Sequence, residues 1–326
     1  MPALALRIAV TTALLCKALL CFAQTPAPTY PAKTIRVVVP YPAGGGVDIA
    51  GRAIAQQLAV AFGVTVIVDN RPGAGGTIGS DHVAKSAPDG YTLLVSGRGP
   101  LAAAPLTNPN LAYVPARDLA AVGNLVTSPY ILAAHPSVPA RNARELIALA
   151  KAHPGRLNVV SGGTGGGQHI AAEEFNLLAG TRMTHVPYKG TAPAITDLIG
   201  GHADLGFLDP AGLPQVLSGR LKALGVSGTI RYEPLPDVPT IAQSGLPGFV
   251  STTWYALFAP AATAREIIAR LNAETVRALA QPDMKARLLA QGMIATSSTP
   301  EQLATDVRAD SERLAKLVKA TGMQLN

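Results

Sequence analysis

Apolar positions along the chain fall into short β-branched runs and longer stretches with helical spacing, and the two kinds alternate. Residues 35–39 are β-branched apart from Arg36, which reads as a buried strand. Pro40 ends it, and Tyr41, Pro42, Ala43 and the glycines Gly44, Gly45 and Gly46 follow. Beyond Asp48, the residues Ile49, Ile54, Leu58 and Phe62 recur at spacings near 3.6, as on one face of a helix. The order is strand, glycine loop, helix. Glycines let backbone approach a ligand closely. The free N–H groups of a helix start carry the positive end of its dipole and favour a small anion, above all a carboxylate. A glycine turn that binds nothing is the plain alternative. No Gly-Lys-Ser/Thr follows, so this is not a phosphate-binding Walker loop, and Ile49 stands where a dinucleotide fingerprint needs its third glycine. Asp48 is expected to be the helix N-cap.

The alternation continues. Strands are predicted at 64–68 and 91–96, around a second glycine loop (69–77) and a helix at 78–85. These units predict a parallel sheet with right-handed crossovers. In open sheets of this kind ligands sit at the C-terminal ends of strands, so the loop Ser96-Gly97-Arg98 can face the first glycine loop. Residues 101–118 are punctuated by proline and read as loop. Residues 119–134 read as one or two strands broken near Ser128-Pro129, a crossing into a second domain. There the device recurs: a helix at 143–153, a strand at 157–160, a glycine loop at 161–169 and a helix at 170–178. Two such loops, one per domain, would aim two helix starts at one cleft. Short strands are predicted at 184–187, 203–208 and 222–226, helices at 193–199 and 216–218, and a proline-rich connector at 230–247. A strand-like run at 249–259 and helices at 264–279, 282–291 and 300–321 complete the chain.

Composition adds an address and narrows the chemistry. The 326 residues suffice for two domains with their own cores. Arg7, the apolar runs 8–16 and 18–23 and the small residues Cys21 and Ala23 read as a secretory signal peptide cleaved before Gln24. Both cysteines lie within it, so the mature chain would have no disulfide and no thiol chemistry. The net charge of +7 falls by two when Arg7 and Lys17 are removed, a mild basicity that suits an anion binder. Basic residues are scattered and not interleaved with aromatics, so no nucleic-acid surface is expected.

Five stretches together point to a family: YPAKTIRVVVPYPAGGGVDI (30–49), VDNRPGAGGTIGSDHVAKSAPDGYTLL (68–94), HVPYKGTAPAITDLIGGHADLGF (185–207), LPDVPTIAQSGLPGF (235–249) and WYALFAPAAT (254–263). The chain resembles the Bug/TctC-type extracytoplasmic solute-binding proteins of tripartite tricarboxylate transporters. The resemblance spans essentially the whole mature chain. It implies an α/β, two-domain Venus flytrap, each domain a mixed, mostly parallel sheet flanked by helices, with a carboxylated solute closed between them. The expected domains are 24–127 plus about 253–326, and about 128–252.

The resemblance also implies site residues. Loops 40–46 and 161–169 would hold one carboxylate, largely through backbone N–H groups and bridging waters. Gly44 and Gly45 supply close approach, and Ser161 and Thr164 supply hydroxyls; Ala43 belongs to the first loop and Gly162, Gly165 and His169 to the second. Tyr41, often phenylalanine in the family, walls the pocket. Ser96, Gly97, Arg98, Tyr188, Lys189 and Asp209 would read the other end of the ligand. There the chain departs from the family: an Asn-Pro-x-Leu-Tyr run is replaced by Arg98, Pro100 and Leu101, then Asn110-Leu111-Ala112-Tyr113. Arg98 either pairs with a second acidic group of the ligand or is a solvated surface arginine. Asp209 either binds a ligand amine or hydroxyl or caps the following turn. Lys189 either attracts anions or is solvated.

An enzyme would need a constellation that the sequence lacks. There is no G-x-S-x-G elbow and no H-E-x-x-H. His169 and Glu173 are four apart on a predicted helix, but no third metal ligand is evident. His82, His135, His153, His185 and His202 are scattered, with His185 expected to pack or hydrogen-bond at a strand edge. No cofactor or metal is expected. The implied partners are a small carboxylate and the membrane components of a tripartite tricarboxylate transporter or, alternatively, a membrane signalling protein. A periplasmic enzyme using Asp209 or His169 as base is the remaining class. The protein is expected in the periplasm as a monomer.

Overall fold

The computed structural model describes residues 30–321. The expected signal peptide and both cysteines lie outside them. Eleven strands among the described residues form two mixed sheets. The first contains β1 (Ile35–Val39), β2 (Val66–Asn70), β3 (Thr92–Gly97), β4 (Leu119–Pro129), β10 (Thr252–Pro260) and β11 (Ile294–Ala295), in the order β11-β4-β10-β3-β1-β2. The second contains β5 (Ile131–Ala134), β6 (Asn158–Ser161), β7 (Thr184–Pro187), β8 (Leu205–Leu208) and β9 (Lys222–Val226), in the order β7-β6-β8-β5-β9.

Both sheets are mixed, as the resemblance implies, and the strand-loop-helix units supply the parallel part of the first. β2, β1 and β3 are parallel, but β10 lies between β3 and β4 and is antiparallel to both. In the second sheet β5 is likewise antiparallel to its neighbours β8 and β9. β5 and β10 are the strands that follow the two passages of the chain between sheets. Each arrives from the other sheet and so enters against the local direction. The first passage is one residue, Tyr130; the second runs from Ser227 to Ser251. The passages are tied to each other. Tyr130 N donates to Ser227 Oγ (2.7 Å), Ser227 N to Tyr130 O (2.9 Å) and Ser251 N to Ser227 O (3.0 Å).

The strand-loop-helix units form where the apolar pattern requires. In β1 only Arg36 is exposed, and it pairs with Asp69 of β2 at 3.0 Å. α1 (Gly46–Phe62) buries Ala50, Ile54 and Leu58 and stops at Gly63, whose left-handed φ of 66° closes the C-cap. The helices α2 (Thr77–Ala84), α3 (Ala143–Ala152), α4 (Gly167–Ala179) and α5 (Thr191–Ile199) follow the predicted segments, most starting a few residues early. α6 (Arg265–Ala280), α7 (Pro282–Ala290) and α8 (Pro300–Thr321) close the chain.

Residues 108–114 are loop as expected, but the flanking residues are not: Gly99–Ala103 forms a π-type turn, and Ala104–Thr107 and Pro115–Asp118 form short α-turns. The prolines sit at the first helical positions, where their missing N–H costs nothing. Ala102 and Ala103 are buried against Leu314 and Leu317 of α8 and Ile170 of α4.

The second sheet carries most of the aromatic core. Phe175 of α4, Phe207 of β8 and Phe249 meet with ring centroids 5.7–5.9 Å apart, all fully buried. Phe175 touches both partners, so Phe175→Ala leaves a cavity and should cost about 3–5 kcal/mol. A urea unfolding curve would show this as a lowered midpoint with an unchanged slope.

Candidate functional site

The β1–α1 loop is held from below. Asp48 is not the N-cap, which is Gly45; it is the third residue of α1 and reaches back. Its carboxylate accepts from Gly44 N (3.0 Å), Arg52 Nε (2.9 Å) and Asn70 Nδ2 (2.9 Å). Burial works to raise its pKa, but those three donors outweigh it and hold the carboxyl below the usual range. Asn70 also donates to Tyr41 O at 3.0 Å, so the end of β2 fixes the loop after β1.

An inner cavity of about 60 Å³ lies where three helices begin. Space of this kind holds several waters or the head of a small acid. Gly45, Gly46 and Val47 bring the start of α1, Gly166, Gly167 and Gln168 that of α4, and Thr191 and Ala192 that of α5. The first N–H groups of a helix have no intrahelical acceptor, so these ends concentrate donors and positive potential. Two tyrosines cover the helix starts. A Cβ at Gly46 would lie 2.5 Å from Tyr255 Oη, and one at Gly167 would lie 2.1 Å from Tyr130 Oη. Only glycine fits at these two first positions. Burial pushes the Tyr130 hydroxyl up to about 12, so it stays a protonated donor.

Of the residues expected in the site, Tyr41, Ala43, Gly45, Gly97, Arg98, Gly162 and Asp209 line this cavity. Asp209 also caps the next turn: Oδ1 accepts from Ala211 N (3.1 Å), and Oδ2 faces Thr191 Oγ1 (3.1 Å) and Tyr255 Oη (3.4 Å). Burial raises its pKa despite these donors. Gln168 joins the loops. Its Oε1 accepts from Gly162 N, and its Nε2 donates to Thr191 Oγ1 at 3.1 Å. Arg98 is not a solvated surface arginine. It is 4% exposed, with Nε donating to Asp310 Oδ2 of α8 at 2.9 Å.

Thr164, Gly165, Tyr188 and Lys189 line an outer cavity of about 760 Å³ instead, together with Gly75, Thr107 and Asn108. Tyr41, Pro42, Gly99 and Gly162 border both cavities. The loops of the two sheets meet here at glycines. A Cβ would lie 2.6 Å from Thr164 O at Gly75, 3.1 Å from Gly165 O at Gly99 and 2.9 Å from Pro42 Cγ at Gly190.

Four expected residues line neither cavity. Gly44, at φ 86°, turns outward while its N–H meets Asp48. Ser96 is fully buried within β3. Ser161 and His169 stand behind the second glycine loop: Ser161 Oγ is 2.6 Å from His185 Nε2, and His169 Nδ1 accepts from Gly165 N at 3.1 Å. The two imidazoles stack at 3.7 Å, with His185 on the edge strand β7. Among the described residues no group of three His, Cys, Asp or Glu side chains is placed to hold a metal ion.

The reading from sequence missed Tyr130, Gln168, Thr191, Thr253 and Tyr255, all on the inner wall. Tyr255 lies in the WYALFAPAAT stretch and Thr191 follows Tyr188-Lys189-Gly190, so both had a motif to mark them. Tyr130 had only its place beside Pro129.

The stacked histidines make stability depend on pH. Burial, and for His169 also the nearby His185, lowers the pKa of His169 to about 3; burial lowers that of His185 to about 4. The unfolded chain titrates its histidines near 6.5. Between these values the unfolded state binds protons that the folded state refuses, so stability is full above about pH 6.5 and falls as pH drops toward 4. A His169→Gln/His185→Gln variant should show a flatter melting temperature against pH in that window.

Comparison with known proteins agrees with this geometry. Residues 50–323 match TctC, the tripartite tricarboxylate transporter family receptor. Protein BugT of Bordetella pertussis is 38% identical over 306 residues, covering 93% of this chain and 94% of BugT. Among solved structures, R. palustris Rpa4515 with adipate superposes with a TM-score of 0.88 at 31% identity, covering 90% of this chain and 99% of that one. MatC (Rpa3494) from Rhodopseudomonas palustris with bound malate gives 0.84 at 35% identity, covering 89% and 100%. No described helix is long and apolar enough to cross a membrane. Two mixed sheets, helix starts gathered at one cavity and the match over most of its length agree: the chain belongs to the TctC/Bug family of periplasmic solute-binding proteins.

Proposed function

We propose that the protein captures a small carboxylate in the inner cavity by closure of two domains and delivers it to the membrane components of a tripartite tricarboxylate transporter. The observation that carries this reading is the convergence of the α1, α4 and α5 starts on one cavity whose lining cation, Arg98, is already paired with Asp310. Backbone N–H groups and tyrosine hydroxyls are then what remains to neutralise an anion, and these suit a carboxylate. The ligands in the names of two relatives, adipate and malate, are small carboxylic acids.

The closing domains in this reading are 24–127 with about 253–326, and about 128–252, secreted after removal of 1–23. The tied passages at Tyr130, Ser227 and Ser251 serve as the hinge. Gly44, Ser161, Thr164, Gly165, His169, Tyr188 and Lys189 shape the loops that meet on closure. Ligand contacts drawn from both domains favour the closed state over the open one, which is the message a membrane partner reads. The acid is bound and released unchanged.

Thermal unfolding of residues 24–326 against a panel of carboxylates and their amides tests the reading. An acid at a hundred times its dissociation constant should add about 2.7 kcal/mol, a rise of several degrees, while its amide does nothing. Equal shifts with acid and amide would sink it. Closure has its own probe in Gly99, which has no left-handed φ and so tolerates a side chain in its backbone conformation. Gly99→Ala should weaken every ligand alike while leaving the ligand-free melting temperature nearly unchanged.

A further inference from the structure

Among the described residues Arg98 is the one lysine or arginine lining the inner cavity, and it is engaged from behind. Its Nε donates to Asp310 Oδ2 at 2.9 Å and its Nη1 to Ser251 Oγ at 3.3 Å. Asp310 is held in turn by Trp254 Nε1 at 2.9 Å and by Arg313 Nη2 at 3.1 Å, and Arg313 pairs with Glu174 of α4. The Arg98 and Asp310 side chains are 4% and 11% exposed. Burial works to raise the pKa of Asp310, yet Arg98, Trp254 and Arg313 together hold it below the ordinary carboxylate range, so it is charged at neutral pH. A second carboxylate brought to Arg98 must share the guanidinium with Asp310 or displace it, and a displaced buried charge is costly. The other ionisable group of the cavity wall among the described residues, apart from tyrosine, is Asp209, an acid.

We infer that Asp310, acting through Arg98, sets the charge class of the ligand: the inner cavity takes one carboxylate and discriminates against a second one close to it. The inference rests on the carboxylate reading above. Asp310 is a positioning residue. It touches no ligand, but it decides whether Arg98 has charge to offer one.

The test compares three- to six-carbon α,ω-dicarboxylates with their monomethyl esters by calorimetry, on the mature chain, Asp310→Asn and Arg98→Gln/Asp310→Asn. The unsubstituted protein should bind each ester at least as tightly as its diacid. Asp310→Asn should reverse that order by about tenfold, about 1.4 kcal/mol, and the double variant should restore it. A purely structural role for Asp310 would weaken ester and diacid together and leave the order intact, which overturns the inference. If Asp310→Asn does not fold, Asp310→Ser, which also removes the charge, takes its place with the same expected and overturning results. Silence of the whole series with the unsubstituted protein, when the wider panel gives a hit, overturns this inference alone. Silence of both overturns the carboxylate reading beneath it.

Discussion

A helix that begins inside a protein leaves N–H groups that its own backbone cannot satisfy, and three helices here begin at one cavity. Much of the surrounding architecture follows from supplying and protecting those ends. Glycine is required at Gly46 and Gly167 because Tyr255 and Tyr130 hydroxyls occupy the space of a side chain. The loop before α1 is pinned by Asp48 and Asn70, and the loop before α4 by Gln168, which also ties in Thr191 at the start of α5. Without those ties, three mobile glycine loops would have to be ordered by the ligand itself, at the cost of its affinity.

The charges near the cavity obey the same constraint. A free arginine beside buried helix starts would add positive potential to positive potential. Instead Arg98 is neutralised by Asp310, and the chain of contacts continues through Arg313 to Glu174 of α4. α8 therefore joins the loop after β3 to a helix of the other sheet, and its Leu314 and Leu317 pack on Ala102, Ala103 and Ile170.

The strands and helices were legible because their period is local: β1 reads from five residues and α1 from four apolar positions. The sheet order was not, because β10 and β5 take their places from chain passages far away in sequence. Residues 101–107 and 115–118 misled for a related reason. Proline reads as a breaker, and only the buried packing against α8 shows it starting helical turns. In the site, glycines announced the loops, and Tyr41, Arg98 and Asp209 stood beside them. Tyr130 and Tyr255 gave little warning, since what places them is the meeting of the residue between β4 and β5 and one late strand with helix starts. Arg98 showed a charge in the sequence but not its partner, which lies 212 residues away.

The position of β10 fixes the order in which the structure can be completed. Residues 131–226 form every strand of the second sheet without a break, so that sheet can assemble as soon as its own segment exists. The first sheet cannot. β10 separates β3 from β4, and until residues 252–260 have been made the two halves of that sheet have no edge in common. A growing chain that folds from its N-terminus must therefore carry an unfinished sheet, with β3 exposed as an open edge, past the completion of the second one. The small, β-branched strand β1 is shielded between β2 and β3 during that wait, and it is β3, next to the loop at the inner cavity, that remains open to unwanted pairing until the last quarter of the protein arrives.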